Sequence, residues 1–100
     1  MSYLEEAFLP HLRLAILRVL AGAPGYAANS SILTQAVAEL GLRATRDQVR
    51  GQLAWLNEQQ LVRTEQVTRD LVVAELCERG HDAAAGAATV PGVQRPGPGG

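Results

Sequence analysis

Residues 41–44 are all that separates two stretches of helical apolar period, and so short a link obliges the two helices to cross at their joint. Before it, Ile32, Leu33, Ala36, Val37 and Leu40 recur at i, i+1, i+4, i+5 and i+8. Capping oxygens on Asn29, Ser30 and Ser31 precede the stripe and Gly41 closes it, which predicts a helix over about 30–40. After the link, Thr45 and Gln48 stand at the spacing of a capping box, so a further helix is expected over about 45–59. On a helical wheel Val49, Leu53 and Leu56 fall within about 60° of one another, while Asp47, Arg50, Gly51 and Ala54 point away and Gln48 and Trp55 flank them.

At Leu61 the period changes. Leu-Val-Arg-Thr-Glu-Gln-Val and Leu-Val-Val-Ala-Glu-Leu are β-branched runs about a polar Thr-Arg-Asp, which predicts an antiparallel hairpin over about 61–76. Upstream, Leu4, Phe8, Leu12, Ile16, Val19 and Leu20 mark a first helix ending near Gly22, with a short leading turn and a fresh start at Pro10, since proline is tolerated only in a helix's first turn. Residues 78–86 have room for one short last helix. Sixteen alanines and fourteen leucines against four aromatic rings favour helix everywhere outside the hairpin. The sum is a mainly α chain with a β-hairpin (α+β), a winged helix-turn-helix in which the hairpin flanks the third helix. The domain is expected over residues 1–89, with a disordered Pro/Gly-rich tail over 90–100, because such a segment buries too little apolar surface to offset its ordering entropy.

Several function classes are disfavoured. All nine basic residues are arginine against ten acids, and the net charge of −1 gives no global attraction to nucleic acid or membrane, so any basic surface must be local. The most apolar run, residues 14–23, is broken by Arg18 and falls well short of the roughly 20 residues that cross a bilayer. A lone Cys77 and an acidic opening without a basic leader point to the cytoplasm. No nucleophile–base constellation or Gly-rich phosphate loop suggests an enzyme, and no cofactor is implied. Cys77 and His81 form at most half a metal site, so no metal is expected.

The stretch "RDQVRGQLAWLNEQQLV" resembles the recognition helix and first wing strand of ArsR-like and related winged-helix regulators, and "LVVAELCERG" resembles the second wing strand entering the last helix. With the opening "MSYLEEAFLPHLRLAILRVLAGAPGY" and the ending "VPGVQRP", the chain over about 1–96 resembles a family of small winged-helix proteins of Mu-like bacteriophages and prophages. Two positions depart from that pattern. Gln60 stands where a left-handed glycine usually ends the third helix, and Cys77 where a threonine usually caps the last.

Arginine forks onto guanine and glutamine onto adenine, so Arg46, Gln48 and Arg50 are the candidate readers of duplex DNA, with Gly51 admitting a close groove wall. Thr45 and the helix start would hold a phosphate, and Arg43 and Arg69 would grip flanking backbone. Leu14 and Leu17 lie beside the main stripe of the first helix, a surplus of apolar surface that points to a homodimer interface. The expected function is a phage or prophage transcriptional regulator in the bacterial cytoplasm. The alternative is a winged helix that docks a phage or host protein without binding DNA.

Overall fold

The computed structural model describes residues 2–97. Helices α1 (Leu9–Ala21), α2 (Ser30–Glu39) and α3 (Arg46–Glu58) build a cluster, and the hairpin β2 (Val62–Thr68) and β3 (Leu71–Leu76) leaves it as a wing. A three-residue strand β1 (Ala27–Asn29) precedes α2 and a short helix α4 (Glu78–Ala85) follows the wing. The sheet order is β1-β3-β2, antiparallel throughout. This is the expected winged helix-turn-helix. Strand β1 escapes sequence reading because Ala-Ala-Asn has no β-branched residue, and its pairing with β3 is non-local.

The helix ends obey local chemistry. Asn29 caps α2 by accepting the Ile32 N–H at 2.8 Å. At the far end Gly41, with φ 89°, donates its N–H to Ala38 while Leu42 donates to Val37, a Schellman closure around a left-handed residue. The same pair of bonds ends α3: Gln60 donates to Asn57 and Leu61 to Leu56. Here the left-handed residue is Gln60, φ 64°, so a side chain occupies a conformation that glycine adopts without steric penalty.

The first helix departs from expectation at Pro10. The short leading turn is present, as a π-helical turn over Leu4–Phe8, and α1 starts at Leu9 with Pro10 in its first turn; what differs is that the two join without a break, the Leu9 N–H donating to Leu4. Widening the turn ahead of Pro10 suits a residue that lacks an N–H and crowds the preceding carbonyls.

Of the two leucines expected at a dimer interface, Leu17 is enclosed, while Leu14, largely buried, still lines a groove beside Ala15, Val19 and Leu40. Leu17 is fully buried and Leu14 is 7% exposed, both within the main core. Most of the apolar surplus of α1 is absorbed inside one chain because α1 is the central helix, packed by α2, α3, α4 and β3, and the remainder lines that groove. The stripe of α2 is in turn narrower than its sequence suggests: Leu33 and Val37 are buried, whereas Ile32 and Leu40 are more than half exposed.

The expected free tail from Val90 is also corrected. Val90 and Val93 are buried against the core, and the Gln94 N–H donates to the Pro10 carbonyl. Arg13 holds this strap to α3: its guanidinium lies 3.9 Å from the Trp55 ring centroid while Nη1 donates to the Gly92 carbonyl and Nε to Gln52. Gly92 has φ 91°, and a Cβ there would lie 2.9 Å from the indole. Burial lowers the Arg13 guanidinium below its ordinary pKa, though an arginine stays charged even so. Two valines and a stacked arginine supply what proline and glycine content conceals. Residues 98–100 of the expected tail lie outside the described residues.

Two glycine-related substitutions should move stability in opposite directions. Gln60→Gly should stabilise by about 1 kcal/mol, raising the melting temperature by roughly 4–8 °C. Gly80→Ala should destabilise by at least about 2 kcal/mol, since overpacking is costly where the neighbour is backbone; its Cβ would lie 2.1 Å from the Leu61 carbonyl oxygen. Thermal denaturation of both variants checks the signs. Deleting residues 90–100 should cost about 2 kcal/mol net of strap ordering and shift Trp55 emission to the red. Unchanged denaturant midpoint and emission would contradict the packed strap.

Candidate nucleic-acid interface

Helix α3 is held at its start by a complete capping box. Thr45 Oγ1 accepts the Gln48 N–H at 3.0 Å and Gln48 Oε1 accepts the Thr45 N–H at 2.9 Å. Both residues therefore satisfy the helix end first; the Gln48 amide NH2 is the part left to meet a ligand. The buried edge of α3 is Val49, Leu53 and Leu56, as the wheel predicts, and Asp47, Gly51 and Ala54 lie exposed on the other side.

Arg46, Arg43 and Arg69 are exposed, and among the described residues none of them donates to a protein acceptor or pairs with a carboxylate. Arg43 and Arg46 line one crevice with Ser31, Thr34, Gln35 and Ala38, where one side of α2 faces the α2–α3 link. Arg69 lies on the wing turn and lines a second crevice, between α3 and the wing, with Arg50, Ala54, Thr64, Gln66 and Val72. The exposed strip of α3 thus has arginines on either side. Arg63, on the β2 edge of the wing, is not free; it pairs with Glu75, and that hydrogen bond raises its guanidinium above the ordinary value.

Arg50, the remaining arginine among the expected readers, is held within the protein. Its side chain is only 25% exposed and turns toward the wing, Nη1 donating to the Asp70 carbonyl at 3.1 Å and Nη2 lying 3.4 Å from Asp47 Oδ1. Asp47, which would repel a phosphate standing alone, is in this way partly offset by its own helix.

Of two further structural contributors, Gln66 is not among the residues singled out in the sequence, and Ser30 is expected there only as a capping oxygen. Gln66 folds its amide onto the wing turn, and Ser30, 1% exposed at the start of α2, accepts the Val72 N–H on its Oγ at 3.1 Å. A glutamine two residues before a Thr-Arg-Asp turn was a legible hint of the first; nothing local announced the second. Cys77 and His81 have structural surroundings: the Cys77 N–H donates to Leu61 and the His81 ring meets Tyr26 edge-on at 4.5 Å. No helix is long and apolar enough among the described residues to cross a membrane.

No protein-family model matches the chain. It is 48% identical over 86 residues to the uncharacterized protein gp26 of Escherichia phage Mu, covering 86% of this chain and 88% of gp26. An uncharacterized protein of Haemophilus influenzae is 42% identical over 75 residues, covering 75% of this chain and 72% of that protein. Among solved structures, H. salinarum RosR superposes with a TM-score of 0.63 at 20% identity, over 74% of this chain, which spans 66% of RosR's length. That last likeness is one of fold.

Capping predicts a measurable cost: Thr45→Ala should lower stability by about 1 kcal/mol, read as a reduced denaturant midpoint with unchanged slope.

Proposed function

The chain belongs to the family of the phage Mu protein gp26, and from that premise we propose that it is a winged-helix DNA-binding protein, a phage or prophage regulator that reads duplex DNA with α3 and grips the flanking backbone with its wing. The observation that carries this reading is Gly51. A glycine inside a helix costs about 1 kcal/mol relative to alanine and is normally repaid by a positive φ or a close internal neighbour. Gly51 has neither: it sits in the middle of α3 and a Cβ on it would meet nothing within 4 Å. Its use lies outside the chain, where something approaches the helix backbone.

The surroundings favour a polyanion with a groove wall. Arg46, free on the first turn of α3, takes the base-reading role that Arg50 leaves, forking onto guanine O6 and N7. Arg43 and Arg69 grip phosphates on either side, and the Gln48 NH2 and the start of α3 meet a third. So few free arginines per copy neutralise few phosphates, which makes two copies on one site part of the proposal. With Leu17 inside the core, the surface offered to a second copy is the mainly apolar groove lined by Leu14, Ala15, Val19, Leu40 and Leu42 beside His11 and Arg18, where Leu40 is 61% exposed.

Gly51→Ala should raise stability by about 0.5–1 kcal/mol and weaken binding to duplexes enriched from a random pool by about tenfold. If no duplex is enriched, or the alanine variant binds as well as the parent, helix α3 does not read DNA, and capture of a phage or host protein by the same face becomes the reading. For the dimer, sedimentation at high micromolar concentration should find the parent dimeric and Leu40→Glu a folded monomer; a monomeric parent refutes it.

A further inference from the structure

Three carbonyls close the turn between β2 and β3, and each has a side-chain donor. Gln66 Nε2 donates to Thr68 at 2.6 Å and to Arg69 at 2.9 Å, and Arg50 Nη1 donates to Asp70 at 3.1 Å. Exposed carbonyls are satisfied by water, so these bonds add little to global stability. What they remove is the freedom of the turn.

The wing is already pinned close to its turn, because the N–H of Val72, the β3 residue opposite Gln66, is bound by the buried Ser30 hydroxyl. Beneath the turn a crevice stays open between α3 and the wing, lined by Arg50, Ala54, Thr64, Gln66, Arg69 and Val72. Among the described residues, Arg50 to Asp70 is the one side-chain hydrogen bond from α3 to the wing. Arg69, free and exposed, rides on the turn so held.

The geometry points to Arg50 as a positioning residue that, with Gln66, sets the wing at a fixed reach from α3, so that Arg69 meets the backbone only of duplexes whose groove width matches that reach. This rests on the reading of the chain as a DNA-binding protein and adds shape selection to it. A wing ordered before contact loses less entropy on binding, and a wing that cannot flex turns DNA deformability into specificity at positions no side chain touches.

Backbone relaxation of the free protein provides the first test. Residues 66–70 should have order parameters near ~0.85 in the parent and below ~0.6 in Arg50→Ala and Gln66→Ala. The second test is a cycle on the parent's best duplex. Arg50→Ala should weaken binding by roughly three- to tenfold in the parent, and not at all in the Arg69→Ala background. Arg50→Lys, whose ammonium still reaches a carbonyl, should restore most of the affinity, and duplexes selected by Arg50→Ala should lose preference at flanking positions.

Unchanged order in both variants overturns the proposal, and so does an Arg50→Ala loss that persists in full without Arg69, which would mean direct contact. If the parent enriches no duplex, the DNA reading fails, while relaxation still decides whether Arg50 orders the wing.

Discussion

Leu61 is the residue at which helix, sheet and last helix are made to agree. Its N–H closes α3 by donating to Leu56, its carbonyl accepts the Cys77 N–H where β3 ends, and its side chain is fully buried. The same carbonyl lies so close to α4 that only glycine fits at residue 80, where a Cβ would also stand 2.5 Å from Leu76 Cδ1. One residue therefore sets where α3 stops, the direction in which the wing leaves it and how closely α4 packs beneath. Gln60 is held in the left-handed region because that junction leaves the chain no other path, and the burial around Leu61 outweighs the local strain.

From that junction the wing projects with two kinds of support. Close to the turn β3 is tied by a buried hydroxyl in place of a strand: Ser30 follows β1 and extends to Val72, through Oγ, the pairing with β3 that runs from Ala27 and Glu75 to Asn29 and Val73. The tip of the wing is tied by exposed, solvent-competed bonds from Arg50 and Gln66. Buried bonds of the first kind contribute to stability, because an unpaired partner inside is expensive; bonds of the second kind mostly shape motion. The division leaves the domain's stability in its core and its interaction geometry on its surface.

The arginines divide along similar lines. Arg13 is stacked on Trp55 and holds the strap, Arg63 is paired with Glu75, and Arg50 is held by the wing. Arg43, Arg46 and Arg69 remain facing solvent around α3. A net charge of −1 hides this separation, because composition counts charges without saying which are already bound.

Helix ends, periods and turns are decided within a few residues, so the sequence alone determined the Thr45–Gln48 box, the Gly41 closure, the Val49–Leu53–Leu56 edge and the hairpin over 61–76. It could also mark Gln60 as a position out of place. What only the tertiary structure decided depends on residues distant along the chain. Leu14 and Leu17 become core because α1 is surrounded, residues 90–94 become a strap because Arg13 and Trp55 wait across the fold, and Arg50 turns from the open face because Asp70 offers a carbonyl twenty residues away. A helical wheel gives the direction in which a side chain leaves its helix; the partner that lies there is supplied by the packing of the whole chain.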